Sequence, residues 1–224
     1  MPPSEKESLR KEIKTRLAAV PVEVLNAAGL EAARYVTGRA PHPSGTRQGI
    51  PGWNMFRSVL VFLSLPGEID TRPLIEAVMQ EGKSLFAPCL SGTPGQDRTA
   101  DLAFYRLRSA RGSRQAGPFG IREPPAKENL LLGPEDFPLL AFVPGLAFDR
   151  RGRRLGRGRG CYDRFFSALD PGIRRSPGAA GQGHGYVSCG LCLELQLVDA
   201  VPVESHDKKM DMILTEKGLT VCRQ

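Results

Sequence analysis

Six arginines and four glycines fall within eleven consecutive residues, RRGRRLGRGRG, from Arg150 to Gly160. Guanidinium groups at that density grip phosphate or carboxylate through charge-assisted, often bidentate hydrogen bonds. Glycines at 156, 158 and 160 let backbone N–H groups approach an anion with no Cβ in the way. The same composition also suits an RNA-binding arginine–glycine tail or a plain surface turn, so its placement has to decide. Upstream, LLAFVPG (139–145) reads as a buried strand. Downstream, CYDRFFSAL (161–169) sets Tyr162, Phe165, Phe166 and Leu169 at helical spacing. RNA-binding arginine–glycine segments are normally disordered extensions, whereas a strand-to-helix loop is where α/β proteins hold phosphates. Arg154, Arg157 and Arg159 thus form, with the glycines, a candidate polyphosphate cradle. It is not a Walker A loop, since no Gly-Lys-Ser/Thr closes it, nor GxGxxG, since position 161 is Cys.

Asp163, just past the loop, is either a carboxylate for the Mg²⁺ that bridges nucleotide phosphates or a first-turn aspartate at the positive end of a helix dipole. A second acidic cluster stands in VPVESHDKKMD, where Glu204, Asp207 and Asp211 flank His206. Asp207 either completes a magnesium site or caps the turn into the last strand. His206 reads as a surface histidine in preference to a general base. Cys189 and Cys192 have CxxC spacing inside the apolar run YVSCGLCLEL, with no second CxxC and no histidine pair; they read as buried strand cysteines. Five scattered cysteines suit a reducing compartment.

A net charge of +7 favours anionic partners, and almost all of it resides in the arginine run, which points to a site in place of a generally basic coat. No stretch approaches the roughly 18 apolar residues of a membrane span, and no targeting segment is visible, so the cytoplasm is the default expectation. The elements that must position the loop follow from periodicity. Ser4 and Glu7 have capping-box spacing ahead of Leu9, Ile13 and Leu17, with Lys6, Arg10 and Lys14 along a neighbouring edge. A second helix covers 22–36. Residues 40–56 read as a loop with Trp53 as its anchor. SVLVFLSL (58–65) reads as a strand, TRPLIEAVMQEG (71–82) as a helix capped by Thr71, and SLFAPCL (84–90) as a strand, which makes a βαβ crossover. Strands at 102–107, 139–145 and 186–195 follow, with a glycine- and proline-rich connection at 171–185. The architecture is an α/β sheet with helices on both faces and ligands at the strands' carboxyl ends.

FVPGLAFDRRGRRLGRGRGCYDRFF resembles the signature of the 5-formyltetrahydrofolate cyclo-ligase (5,10-methenyltetrahydrofolate synthetase) family: strand, Pro-Gly, Phe-Asp, then Arg-Leu-Gly-x-Gly-x-Gly-x-Tyr-Asp. KESLR, VFLSLPGEID, FGIREP and VPVESHDKKMD extend the resemblance over most of the chain. It implies one domain over 1–224, a three-layer α/β/α Rossmann-like sandwich with a mostly parallel sheet. It also implies ATP- and Mg²⁺-dependent cyclisation of 5-formyltetrahydrofolate to 5,10-methenyltetrahydrofolate. By that resemblance Lys6, Arg10 and the segment Arg154, Leu155, Gly156, Arg157, Gly158, Arg159, Gly160, Cys161 and Tyr162 meet ATP. Leu63, Glu68 and Phe119, with Arg157 to Cys161, border the folate, and Asp163 and Asp207 match the magnesium positions. Arg154, Arg157 and Arg159 would neutralise charge on the transferring phosphoryl group. Cys161 departs from the aromatic usual in the family. The partners implied are small molecules, with no nucleic acid or membrane, acting on a monomer or weak dimer; the alternative is a divergent relative with the same ATP site and another substrate.

Overall fold

The computed structural model describes residues 3–39, 49–91, 101–108, 115–116, 122–123, 134–169, 174–175 and 185–222. Two helices lead, α1 (Glu5–Ala18) and α2 (Val22–Val36), followed by β1 (Ser58–Leu60), α3 (Arg72–Gln80), β2 (Ser84–Ser91) and β3 (Asp101–Arg106). Two short strands, β4 (Gln115–Ala116) and β5 (Arg122–Glu123), pair with each other. Then come β6 (Leu139–Val143), β7 (Ala147–Phe148), β8 (Arg154–Leu155), α4 (Cys161–Leu169) and β9 (Arg174–Arg175). The chain closes with β10 (Gly185–Leu191), β11 (Met212–Thr215) and β12 (Gly218–Val221).

The main sheet runs β12-β11-β10-β6-β1-β2-β3, with β9 pairing alongside β10. Its interior pairs are parallel, and only the edge strands β3 and β12 are antiparallel to their neighbours. The chain winds from β1 outward through β2 to β3, then returns to β6 and winds the other way. The topological switch point therefore lies between β1 and β6, where an open α/β sheet opens a crevice at its carboxyl ends.

Alternating side chains serve two cores. Val59, Leu140, Phe142, Val187 and Cys189 pack with Ile13 and Leu17 of α1, Leu25 and Val36 of α2, and Leu74 and Val78 of α3. Leu60, Leu139, Ala141 and Tyr186 pack with Phe166 and Leu169 of α4 on the opposite face. This is the expected three-layer α/β/α arrangement. The Phe166 and Tyr186 rings stack at 5.2 Å between centroids, which fixes α4 against the sheet.

Three local expectations are corrected. The strand expected over 186–195 ends at Leu191 and gives way to a short turn at Glu194–Gln196. The strand expected over 58–65 ends at Leu60. Val61 N–H still donates to Phe86 O, but the chain then closes a loop of its own. Ser64 Oγ donates to Ile69 O at 2.6 Å, and Thr71 Oγ1 donates to Phe62 O at 2.9 Å. Thr71 consequently spends its hydroxyl on that loop, and the first turn of α3 is capped by Asp70, whose Oδ1 accepts from Arg72 N–H. The serine cap of α1 is as expected, with Glu7 N–H donating to Ser4 Oγ and Ser4 N–H to Glu7 Oε2.

One buried carboxylate supports the turn before the glycine loop. Asp149 is fully buried and accepts from the N–H groups of Arg151, Arg153 and Val201. Asp149→Ala strands those donors, and the expected cost is about 3 kcal/mol of unfolding free energy in a denaturant titration; Asp149→Asn loses less.

Candidate active site

Strand β6 ends at Val143 and is followed by Pro144–Gly145, and the hairpin β7–β8 brings the chain back beside this turn before the loop 156–160 enters α4. Gly158 (φ 103°) and Gly160 (φ 63°) occupy the left-handed region that side chains disfavour, so these glycines are needed for the turn itself. Gln196 holds the Pro-Gly end of β6: its amide Nε2 donates to Gly145 O (2.8 Å) and Leu146 O (3.2 Å), while its Oε1 accepts from Leu193 N–H.

Arg154 lies under the loop with 5% of its side chain exposed. Its Nη2 donates to both oxygens of Asp163, at 2.9 and 2.8 Å, and Nη1 to Pro144 O at 3.4 Å. Its guanidinium carbon stands 5.7 Å from the centre of the Tyr162 ring. The buried Nε has no hydrogen-bond partner among the described residues. A buried donor left without a partner calls for one that the described residues do not supply.

The basic edge of α1 reaches this loop. Arg10 Nε donates to Gly156 O at 3.1 Å, and Lys6 Nζ stands 2.7 Å from Asp207 Oδ2 and 3.0 Å from Glu204 Oε1. Lys208 N–H, next in sequence to Asp207, donates to Asp163 Oδ1 at 3.2 Å. Segments of the chain some 200 residues apart thus converge on one loop.

A cavity of about 360 Å³ opens between β1, β6 and the loop, lined on one side by Phe62, Leu63, Leu65, Pro88 and Leu102. Glu68, Arg154, Arg157, Arg159, Cys161, Tyr162 and Asp163 supply its polar wall. Arg157 Nη2 contacts Glu68 Oε1 at 2.6 Å. Burial pushes the Tyr162 phenol up, with the charge of Glu68 adding to the effect and Arg154 opposing it, so the hydroxyl stays protonated. A second cavity of about 410 Å³ lies on the other side of the loop, between Arg159, Asp163, Arg164, Ser167 and His206.

The structure brings together Lys6, Arg10, Leu63, Glu68, Asp163, Asp207 and the loop from Arg154 to Tyr162. Leu155 is the exception in kind, since its side chain is buried in the core and only its backbone belongs to the loop. Phe119 lies outside the described residues. His206 is largely exposed, 3.4 Å from Glu204. Cys189 and Cys192 are buried free thiols whose pKa values burial drives upward, which leaves them unsuited to redox exchange, and no metal-ligating cluster of three occurs among the described residues. Sequence reasoning missed Gln196, detectable as a lone amide within apolar LCLELQLV, and Arg164, whose Nη1 holds Arg159 O at 2.8 Å and closes the turn from outside.

The fold and this crevice define an α/β protein with a glycine-rich, arginine-bearing loop at its topological switch point. The sequence profile of the 5-formyltetrahydrofolate cyclo-ligase family matches residues 2–216. The mouse 5-formyltetrahydrofolate cyclo-ligase is 28% identical over 223 residues, covering 95% of this chain and 94% of the relative. A probable 5-formyltetrahydrofolate cyclo-ligase of Caenorhabditis elegans is 33% identical, covering 70% and 71%. The solved 5,10-methenyltetrahydrofolate synthetase of Aquifex aeolicus superposes with a TM-score of 0.69 at 24% identity, over 99% of this chain and 94% of that one. The chain belongs to the 5-formyltetrahydrofolate cyclo-ligase family.

The contact between α1 and the acidic turn carries a pH signature. Burial works against the Lys6 ammonium, but its hydrogen bonds to Asp207 and Glu204 and their charges outweigh it and raise its pKa. Burial likewise disfavours the Asp207 carboxylate, but the Lys6 hydrogen bond, the Glu204 N–H and the Lys6 charge together lower its pKa. The aspartate's contribution is complete above the ordinary aspartate range and disappears as pH falls through the lowered value. That of the lysine is complete below the ordinary lysine range and disappears as pH rises through the raised value. Amide exchange in the first turns of α1, corrected for intrinsic rates, is expected to be slower in wild type than in Lys6→Met at neutral pH, and the two are expected to converge in acid.

Proposed function

We propose that this chain, as one domain over 1–224, catalyses the ATP- and Mg²⁺-dependent cyclisation of 5-formyltetrahydrofolate to 5,10-methenyltetrahydrofolate, releasing ADP and phosphate. The observation that carries the reading is the buried Arg154 guanidinium, with an unpartnered Nε, beneath a glycine loop that also borders an apolar cavity. Such a site suits a polyphosphate on one side and a flat heterocycle on the other.

The formyl group on N5 is an amide, and its carbonyl is a poor electrophile toward N10. Transfer of the γ-phosphoryl group to the formyl oxygen gives an imidate-like phosphate; N10 attacks that carbon, and phosphate leaves with the former formyl oxygen. No covalent nucleophile on the protein is needed. Arg154, Arg157 and Arg159 would meet the phosphoryl oxygens and Lys6 and Arg10 the remaining phosphates, so catalysis is mostly positioning and charge neutralisation. Leu63, Glu68 and Cys161 border the cavity assigned to the folate.

Asp163 and Asp207 offer the hard oxygen donors that Mg²⁺ takes, and a metal held by one or two carboxylates plus substrate phosphates needs no three-ligand protein cage. Both carboxylates are now bonded to cations, Arg154 and Lys6. These are the side chains that would turn toward phosphate as the carboxylates receive the metal. Bound there, Mg²⁺ would supply charge neutralisation for the transferring phosphoryl group.

The test is absorbance in the methenyl-folate band after mixing protein, ATP, Mg²⁺ and 5-formyltetrahydrofolate. A rise that needs all four components is expected. A flat trace with ATP binding intact would favour a relative with another substrate, and a flat trace without ATP binding would mean that the loop does not take triphosphate.

A further inference from the structure

Glu68 and Arg157 are 89 residues apart in sequence and meet at the rim of the apolar cavity. Arg157 directs both Nη2 (2.6 Å) and Nε (3.2 Å) to Glu68 Oε1, while Leu65 N–H donates to Glu68 Oε2 at 3.0 Å. The two ends of this bridge differ. Glu68 is 12% exposed and sits in the loop that Ser64 and Thr71 close; Arg157 is 46% exposed and sits among glycines. The carboxylate is therefore fixed and the guanidinium is the movable partner.

Each member is also the natural partner of a different ligand. A guanidinium beside the glycine loop takes phosphate oxygens, and a carboxylate at the wall of an apolar cavity takes the N–H donors of a heterocycle. In the bridge each satisfies the other. A phosphate-bearing ligand has to draw Arg157 away from Glu68, and a heterocycle that bonds to Glu68 Oε1 has to displace Arg157 from it. Whichever ligand arrives first opens the bridge, and the second finds its partner already released.

We propose that the Glu68–Arg157 bridge makes the two substrates bind cooperatively, each tightening the other by the same factor. This rests on the assignment of ATP and a folate to the two sides of the loop. Reciprocity is a thermodynamic necessity, and the half-exposed arginine puts the factor at about fivefold, the low end of usual couplings.

The experiment is a calorimetric titration of the β,γ-imido analogue of ATP with Mg²⁺ into the full chain, with and without saturating 5-formyltetrahydrofolate. It is done for wild type and for Glu68→Gln. In wild type the folate is expected to tighten the nucleotide about fivefold. Glu68→Gln is expected to bind the nucleotide alone about fivefold more tightly than wild type, with no further gain from folate. Equal wild-type affinities with and without folate would overturn the proposal, although both ligands bind. So would a Glu68→Gln effect of the same size in both states, which a general loss of negative charge produces. Failure of wild type to bind either ligand would instead overturn the assignment of the site, and the coupling with it.

Discussion

An arginine cannot shed its proton, so a guanidinium closed off from water has to be given oxygen partners. Arg154 is that group here, and much of the site is arranged around it. Asp163 answers it with both oxygens from the first turn of α4, and Pro144 offers a carbonyl from the end of β6. The pair thereby ties β8, α4 and the central strand β6 to one point beneath the loop. Breaking such a pair by removing one partner costs about 3–5 kcal/mol, because the other charge is left buried and alone. A phosphate is one of the few ligands able to replace Asp163 without that penalty.

A loop in which every second residue is glycine has few side chains with which to hold itself, so its shape depends on polar groups from neighbouring elements. Asp149 fixes the turn before it, Gln196 fixes the Pro-Gly end of β6, Arg10 holds Gly156 O, and Arg164 holds Arg159 O. Each comes from a different stretch of chain, and each bonds to backbone. Backbone N–H groups positioned in this way would meet an anion without reorganising, which is the physical basis of electrostatic preorganisation. The apolar layers do the complementary work: the Phe166–Tyr186 stack sets the angle of α4, and the helices α1 to α3 bury the opposite face of the sheet.

The layers, the parallel sheet and the loop were legible in the sequence because each has a local signature: unbroken apolar runs, 3.6-residue stripes, and glycines between arginines. The basic edge of α1 was visible as Lys6 and Arg10, but its docking was not, since the partner residues Gly156 and Asp207 lie far along the chain. The early end of β1 was hidden for a similar reason. SVLVFLSL has the apolarity of a long strand, and only the hydroxyls of Ser64 and Thr71, bonding back across the 62–71 loop, turn the chain aside. The bridge between Glu68 and Arg157 has no local trace at all, being a pairing of two residues that each look like ligand contacts. Phe119 stays a reading of the sequence alone.

In the proposed reaction the buried Arg154 charge meets the transferring phosphoryl group. The most direct measurement is the steady-state rate of methenyl-folate formation by Arg154→Ala and Arg154→Lys beside wild type, with folding checked by near-ultraviolet circular dichroism. Turnover is expected to fall by about 100- to 1,000-fold in the alanine variant, as for loss of one preorganised donor, with partial recovery in the lysine variant. A folded Arg154→Ala protein with unchanged turnover and an unchanged Michaelis constant for ATP would contradict the account.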